Sequence, residues 1–206
     1  TKLYGRENEI ALATECYERI AEGKKEALLI QGVGGIGKTR LITEISKIIA
    51  AEKGHFIKGD FIQFKKHIPY HGVIEVIKKL VSELLLKDEA ELAIWRKKIL
   101  TAVGDAGQLL VEIVPQIKLI IGEQPPVPKL GAEETLYRFN FILTNFLETF
   151  PSKDSALAIC LENIQWADDF SIKFFEYFLS SVNSGYFLFV VSYRDNEAGP
   201  LQNFSL

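Results

Sequence analysis

This chain of 206 residues contains no methionine and only two cysteines. Because there is no methionine at position 1, we expect the sequence to have been cut from a longer protein. Cys16 and Cys160 each lie within an apolar pattern, where a thiol usually behaves as a small hydrophobic side chain. A disulfide framework is therefore disfavoured, and we expect a reduced, cytoplasmic protein.

The sequence also lacks a long hydrophobic run and an excess of positive charge. No stretch reaches the roughly 20 consecutive apolar residues that a membrane-spanning helix needs, and the N-terminus is charged where a signal peptide would be apolar. The formal net charge is -3, so bulk electrostatics do not attract the chain to polyanions or acidic membranes. We therefore expect neither a nucleic acid nor a membrane as a partner.

Short apolar runs alternate with stretches of helical periodicity along the chain. Three continuous apolar runs, at residues 27–30, 156–161 and 186–191, predict β-strands that are covered on both faces. Residues 55–64 alternate loosely and are rich in Phe and Ile, so at least part of them is predicted to form a further strand, the second along the chain. Apolar residues recur at helical spacing over residues 7–20, 41–49, 132–150 and 170–179. Strands that alternate with helices predict an α/β fold, a three-layer α/β/α sandwich around a mostly parallel sheet.

A helical insertion is predicted between the second and third strands, over about residues 70–148. Pro69 is expected to open a helix that runs to about Leu86, because proline is tolerated in a first turn. Further helices are expected over about residues 88–121. The prolines of residues 124–128 predict a stiff, extended connector.

A glycine-rich loop follows the first predicted strand and precedes a predicted helix. Residues 32–39 fit the spacing G-x-x-x-x-G-K-[ST] of a phosphate-binding loop, or P-loop. Its glycines let backbone N–H groups point inward, and the helix N-terminus adds positive partial charge, so a polyphosphate can bind there. Lys38 would bridge the β- and γ-phosphates, and the Thr39 hydroxyl would hold Mg²⁺. The nucleotide-binding residues predicted here are Gly32, Val33, Gly34, Gly35, Ile36, Gly37, Lys38, Thr39 and Arg40.

A carboxylate is expected to complete such a site from the end of a neighbouring strand. Glu162 follows the third predicted strand, where it can hold Mg²⁺ directly or through the water shell of the ion. The alternative is an acid that only caps the strand. A separate metal site at His67, His71 and Glu75 has helical spacing, but Pro69 argues against a continuous helix there.

Four motifs occur in the order found in STAND-type ATPases, which are AAA+-related signal-transduction ATPases of the P-loop NTPase class. These motifs are residues 3–7, 32–39, 161–168 and 192–197. Residues 59–61, 68–70 and 121–125 also resemble the ATPase region of bacterial multi-sensor signal-transduction kinases. The resemblance covers nearly the whole chain and implies one ATP-binding domain over residues 1–206, from which a last strand and a helical lid are missing.

The resemblance implies roles for further residues. The Gly-Arg-Glu motif of the family lies near adenine, which would place four residues beside the base: Leu3, Tyr4, Gly5 and Arg6. Arg194 would follow a strand inserted between the P-loop strand and the Glu162 strand, where it can sense the γ-phosphate. A surface salt bridge is the alternative for Arg194, and Trp166 is expected to be a packing anchor.

One position departs from the family pattern. The usual pair of acids after the third strand is Asp-Asp or Glu-Asp, and the second position here is Asn163. An amide can orient water but cannot accept its proton, so we expect nucleotide binding to survive better than hydrolysis. Asp168 and Asp169, further along the chain, are the alternative acids. The predicted catalytic residues are Lys38, Glu162, Asn163 and Arg194.

These features favour a regulatory switch that binds ATP and Mg²⁺, with slow hydrolysis at most, within a larger signalling protein. Its partners would be nucleotide and the other domains of that protein, and a nucleotide-dependent oligomer stays open. The alternative is a degenerate, non-hydrolysing scaffold for protein–protein interaction. The acidic balance disfavours a nucleic-acid motor, and no Asn-Lys-x-Asp guanine motif is present.

Overall fold

The computed structural model describes residues 5–195 of the chain. Its centre is a sheet of four strands: β1 (Lys25–Gln31), β2 (His55–Asp60), β3 (Leu157–Glu162) and β4 (Phe187–Tyr193). All neighbouring strands pair in parallel, in the order β1-β4-β3-β2. The predicted α/β fold with a parallel sheet is confirmed, and β4 lies between β1 and β3 as the family resemblance implied.

Eight α-helices accompany the sheet within the described residues, besides four short 3-10 helices. They are α1 (Glu7–Ala21), α2 (Lys38–Ala51), α3 (His71–Leu84), α4 (Glu89–Val103), α5 (Gly107–Ile113), α6 (Lys118–Ile121), α7 (Ala132–Leu147) and α8 (Asp169–Ser181). No helix in residues 5–195 combines the length and the apolar character that crossing a membrane requires.

Two hydrophobic cores lie on opposite faces of the sheet, because successive strand residues point to opposite sides. On one face, Ala158 and Cys160 of β3 pack with residues of α1 and α2. On the other, Leu157, Ile159 and Leu161 pack with α3, α7 and α8. Every residue of β3 is buried, which explains its continuous apolar run. Burial also raises the pKa of the Cys160 thiol, in agreement with its predicted role as a small hydrophobic residue.

The segment between β2 and β3 contains α3 to α7, but its first helix begins later than predicted. Helix α3 begins at His71, and Tyr70 before it has a left-handed backbone with φ of 58°. The Tyr70 N–H donates to the carboxylate of Asp168, 2.9 Å away. This long-range bond fixes the start of the helix, so the prediction that Pro69 opens it was wrong. The predicted connector, residues 124–128, contains neither helix nor strand.

Candidate functional site

The glycine-rich loop joins the end of β1 to the start of α2, as the sequence predicts. Gly35 and Gly37 have φ angles of 80° and 97°, which side-chain-bearing residues rarely adopt. A Cβ atom on either glycine would meet no atom within 4 Å, so backbone conformation rather than crowding requires glycine there. Gly37 is the N-cap of α2, and the first N–H groups of a helix have no acceptor within that helix. The loop therefore has the geometry of an anion-binding site.

The Lys38 side chain lies across this loop. Its Nζ donates hydrogen bonds to the carbonyl oxygens of Gly32 at 2.6 Å and Val33 at 3.1 Å. These carbonyl oxygens hold a positive charge at the mouth of the loop. An anion on the loop would therefore meet the ammonium group as well as backbone N–H groups.

A cleft of about 650 Å³ brings the loop together with the residues that directly follow two other strands, Asn163 after β3 and Arg194 after β4. It lies at the carboxyl edge of the parallel sheet, where ligands of such sheets usually bind. Of the predicted site residues, eight line it: Gly34, Gly35, Gly37, Lys38, Thr39, Arg40, Asn163 and Arg194. Six described members of the predicted set are not among its lining residues, namely Gly5, Arg6, Gly32, Val33, Ile36 and Glu162. Leu3 and Tyr4 lie outside the described residues.

Three lining residues were missed from the sequence: Thr43, Glu44 and Lys47. They follow the loop along α2, and Lys47 forms an ion pair with Glu44 at 2.9 Å. Thr39, Thr43 and Lys47 are spaced by four residues, so they share one face of the helix. That spacing is the signal that predicts their common position beside the loop.

Arg6 connects the segment before α1 to the loop. Its Nη2 donates to the Ile36 carbonyl oxygen at 3.3 Å, and its Nη1 pairs with Glu9 Oε1 at 2.5 Å. The hydrogen bond from Arg6 lowers the pKa of the Glu9 carboxyl group. One residue of the predicted adenine-binding motif therefore contacts the loop, although Arg6 itself does not line the cleft.

Glu162 is the last residue of β3, next to Asn163, and it does not line the cleft. Its side chain is only 7% exposed and forms an ion pair with Lys58 on the neighbouring strand β2. Glu162 lies on the same face of the sheet as Cys160, two residues earlier. It thus points to the side of the sheet that carries α2 and the loop, with Lys58 as its counter-charge.

Asn163 lines the cleft from the turn that follows β3. Its backbone is left-handed, with φ of 56°, a conformation that asparagine tolerates better than most residues. Its side-chain Nδ2 donates to Oδ1 of Asp60 at 2.9 Å. Asp60 was not predicted as a site residue. It ends β2 and is in register with Glu162, so the common edge of parallel strands is the signal that could have identified it.

The carboxylate of Asp168 accepts hydrogen bonds that hold the fold together. Its carboxylate accepts from the Ser171 N–H at 2.9 Å, from Ser171 Oγ at 2.6 Å and from the Tyr70 N–H at 2.9 Å. It is buried and forms the N-cap of α8. Asp169 is the exposed first residue of α8. Neither acid lines the cleft, so neither replaces the carboxylate that Asn163 lacks.

Arg194 follows β4 and reaches the cleft beside Trp166. Its guanidinium carbon lies 5.1 Å from the centre of the Trp166 ring, within the range of a cation–π interaction. Trp166 in turn packs against the larger hydrophobic core, as expected for a packing anchor. Arg194 therefore presents a positive charge to the cleft, and its guanidinium group packs against the Trp166 ring.

The available oxygen donors match the preference of Mg²⁺ for hydroxyl and carboxylate ligands. Thr39 lines the cleft at the start of α2, and Glu162, which does not line it, is paired with Lys58. No group of three or more His, Cys, Asp or Glu residues within residues 5–195 is arranged to hold a metal ion. His67 precedes α3 and His71 begins it, so the separate helical metal site is not formed.

Comparison with known proteins agrees with the fold and the loop. The chain matches the AAA ATPase domain family over residues 2–191. It is 31% identical over 180 residues to hybrid signal transduction histidine kinase G of Dictyostelium discoideum, a match that covers 87% of this chain and 5% of that protein. It is 24% identical over 180 residues to histidine protein kinase 1 of Candida albicans (strain SC5314 / ATCC MYA-2876), covering 80% of this chain and 7% of that protein. The chain therefore spans a small fraction of these relatives, and it belongs to the AAA ATPase domain family.

Proposed function

We propose that this chain binds ATP with Mg²⁺ at the loop of residues 32–39 and acts as a nucleotide-dependent switch within a larger signalling protein. The observation that carries the proposal is the cleft in which the loop, the start of α2, Asn163 and Arg194 meet. Family membership supports nucleotide as the ligand. The large kinases that the chain resembles support a role in signalling.

The loop would bind the triphosphate through its backbone N–H groups and the positive end of α2. The Lys38 ammonium would exchange the carbonyl oxygens of Gly32 and Val33 for phosphate oxygens, which carry more negative charge. Thr39 would hold Mg²⁺, and Glu162 would act on its water shell because Lys58 already occupies the carboxylate. Bound Mg²⁺ neutralises phosphate charge, and Arg194 adds a second cation to the same cleft.

Hydrolysis would be slow because Asn163, which follows β3 and lines the cleft, carries an amide instead of a carboxylate. In the reaction, a water oxygen bonds to the γ-phosphorus of ATP while the bond from that phosphorus to the ADP leaving group breaks. The water proton leaves with the phosphate product. Asn163 can orient this water but cannot remove its proton, so binding and release of nucleotide would govern the switch more than turnover does.

The switch would depend on differential binding of ATP by two arrangements of neighbouring domains. Arg194 at the end of β4 and Asn163 at the end of β3 would report the presence of the γ-phosphate to the elements that follow them. Within the AAA ATPase domain family, the chain would belong to the STAND class of signal-transduction ATPases. Such a switch is compatible with a nucleotide-dependent oligomer.

A test of the proposal is the affinity of the chain for ATP with Mg²⁺, measured by titration calorimetry. We expect a dissociation constant between micromolar and submillimolar, and no detectable binding for Lys38→Ala, because the variant removes the ammonium at the loop mouth. Lys24→Ala is the matched control. Lys24 is exposed and precedes β1 at the opposite edge of the sheet. The affinity of Lys24→Ala for ATP should therefore equal that of the wild type.

The second candidate function is a scaffold that does not hydrolyse nucleotide. Two observations favour it over an active ATPase: Asn163 stands where the family has an acid, and Lys58 neutralises Glu162. A folded wild-type chain with no measurable ATP binding would support the scaffold and contradict the switch. Equal binding by the wild type and Lys38→Ala would contradict the proposed site.

A further inference from the structure

The ends of β2 and β3 are held side by side by the sheet ladder. Asp60 is in register with Glu162, and the N–H of Phe61 donates to the Glu162 carbonyl oxygen at 3.1 Å. The pairing therefore continues one residue past β2. Asp60 is fixed next to the turn that begins at Asn163.

The hydrogen bond between Asp60 and Asn163 determines which way the Asn163 amide faces. A carboxylate has no hydrogen to donate, so the amide must present its NH₂ group to Asp60. The distance from Asn163 Nδ2 to Asp60 Oδ1 is 2.9 Å. The amide oxygen of Asn163 is then directed away from Asp60, on a residue that lines the cleft.

The backbone of Asn163 is restrained as well as its side chain. Its φ and ψ angles are 56° and 42°, and its carbonyl oxygen accepts from the Trp166 N–H at 2.9 Å. The turn therefore fixes the Cα–Cβ direction, and Asp60 fixes the end of the side chain. Two independent restraints give the amide one orientation.

We propose that Asp60 is a positioning residue for ATP hydrolysis: its carboxylate holds the NH₂ group of Asn163 so that the amide oxygen accepts a hydrogen bond from the attacking water. Neither Asp60 nor Asn163 takes up a proton. The proton of the attacking water leaves with the phosphate product. The negative charge of Asp60 also polarises the amide and strengthens its oxygen as an acceptor. This inference rests on the proposed function and adds a residue to its site.

The test measures ATP affinity and turnover of the chain for Asp60→Ala, Asp60→Asn, Asn163→Ala and the double alanine variant. For Asp60→Ala we expect turnover to fall roughly 10- to 100-fold, with the dissociation constant for ATP within about twofold of the wild type, because Asp60 does not line the cleft. Asp60→Asn should restore most of the turnover, since its amide oxygen can still accept from Asn163. The double variant should be no slower than Asn163→Ala, because the pair acts as a unit.

A readout without turnover is the side-chain NH₂ signal of Asn163 in the ¹⁵N-labelled chain, identified by its loss in Asn163→Ala. We expect it to shift in Asp60→Ala and to move less in Asp60→Asn. Asp154→Ala is the matched control, because Asp154 is an exposed acid before β3, at the opposite edge of the sheet. Neither the signal nor turnover should change in that variant.

Three outcomes overturn the inference while the proposed function stands. They are ATP binding without turnover in the wild type, unchanged turnover in Asp60→Ala, and losses that multiply in the double variant. An unshifted Asn163 signal in Asp60→Ala also contradicts the pair. If the wild-type chain does not bind ATP, the proposed function fails and the inference fails with it.

Discussion

At the scale of single residues, the ion pair between Lys58 and Glu162 sets the charge at the end of β3. Glu162 is nearly buried, whereas the Lys58 side chain is 37% exposed. Removing one partner of such a pair leaves a carboxylate in a poorly solvated position, and this is more costly than losing a surface contact. We therefore expect Lys58 to stabilise the fold around Glu162.

The Lys58→Met variant tests this role through its free energy of unfolding. We expect a loss of about 2 kcal/mol, because the aliphatic stem is kept while the charge that compensates Glu162 is removed. Chemical denaturation monitored by circular dichroism measures the change. Adding Glu162→Gln to Lys58→Met should recover part of the loss, since a neutral amide needs no counter-ion.

Lys78→Met is the matched control for Lys58→Met. Lys78 forms an exposed ion pair with Glu75 at 3.0 Å on α3, and such surface pairs contribute less than about 0.5 kcal/mol. If Lys58→Met and Lys78→Met lose equal free energy of unfolding, the buried Glu162 carboxylate does not need Lys58 as its counter-charge.

At the scale of elements, Asp168 joins α8 to α3. It caps α8 through Ser171 and at the same time holds the N–H of Tyr70 in front of α3. The Tyr70 hydroxyl donates to Asn140 Oδ1 on α7 at 3.0 Å, and burial raises the pKa of Tyr70 to about 12. The hydroxyl therefore stays protonated near neutral pH, and three helices meet at one buried polar network.

The Asp168→Ala variant is expected to unfold at lower denaturant than the wild type. Losing an N-cap costs about 1 kcal/mol, and leaving the buried Tyr70 N–H without its acceptor adds about 1–3 kcal/mol. Equilibrium denaturation gives the total.

Asp88→Ala supplies the comparison for Asp168→Ala, because Asp88 caps α4 through the Glu91 N–H at 2.9 Å in an exposed position. Asp88→Ala should lose only the free energy of unfolding that an N-cap contributes, about 1 kcal/mol. If the two variants lose equal stability, the bond to Tyr70 contributes nothing.

At the scale of the whole molecule, nucleotide bound at the cleft should stabilise the entire fold. The loop lies between β1 and α2, and the cleft also includes residues that follow β3 and β4. A ligand that binds the folded chain alone stabilises it by RT ln(1 + [L]/Kd), about 2.7 kcal/mol when the ligand is at 100 times its Kd. The effect should therefore extend to unfolding of the whole chain.

Thermal unfolding with and without ATP and Mg²⁺ measures this coupling. We expect the melting temperature of the wild type to rise with ATP concentration, and that of Lys38→Ala to stay constant. Removing Mg²⁺ with a chelator should reduce the shift. A rise of the same size in Lys38→Ala would place the nucleotide elsewhere on the molecule.

The sequence by itself determined the local elements and the loop. Apolar runs and helical periodicity predict β1 to β4 and the main helices, because a helix or strand that buries one or both faces has apolar residues at a regular spacing. The spacing of residues 32–39 likewise fixes the loop, since its positive φ angles require glycine at Gly35 and Gly37. The roles of Glu162 and Arg194 in nucleotide binding stay predictions.

Only the tertiary structure decided which side chains meet at the site. Asn163 and Asp60 are 103 residues apart, and Tyr70 and Asp168 are 98 apart. Both contacts depend on the register of parallel strands and on how the insertion packs, which no local pattern specifies. Lys58 against Glu162 and the start of α3 at His71 follow from the same long-range packing. Periodicity records whether a position is buried, whereas the partner of a polar group is set by the fold as a whole.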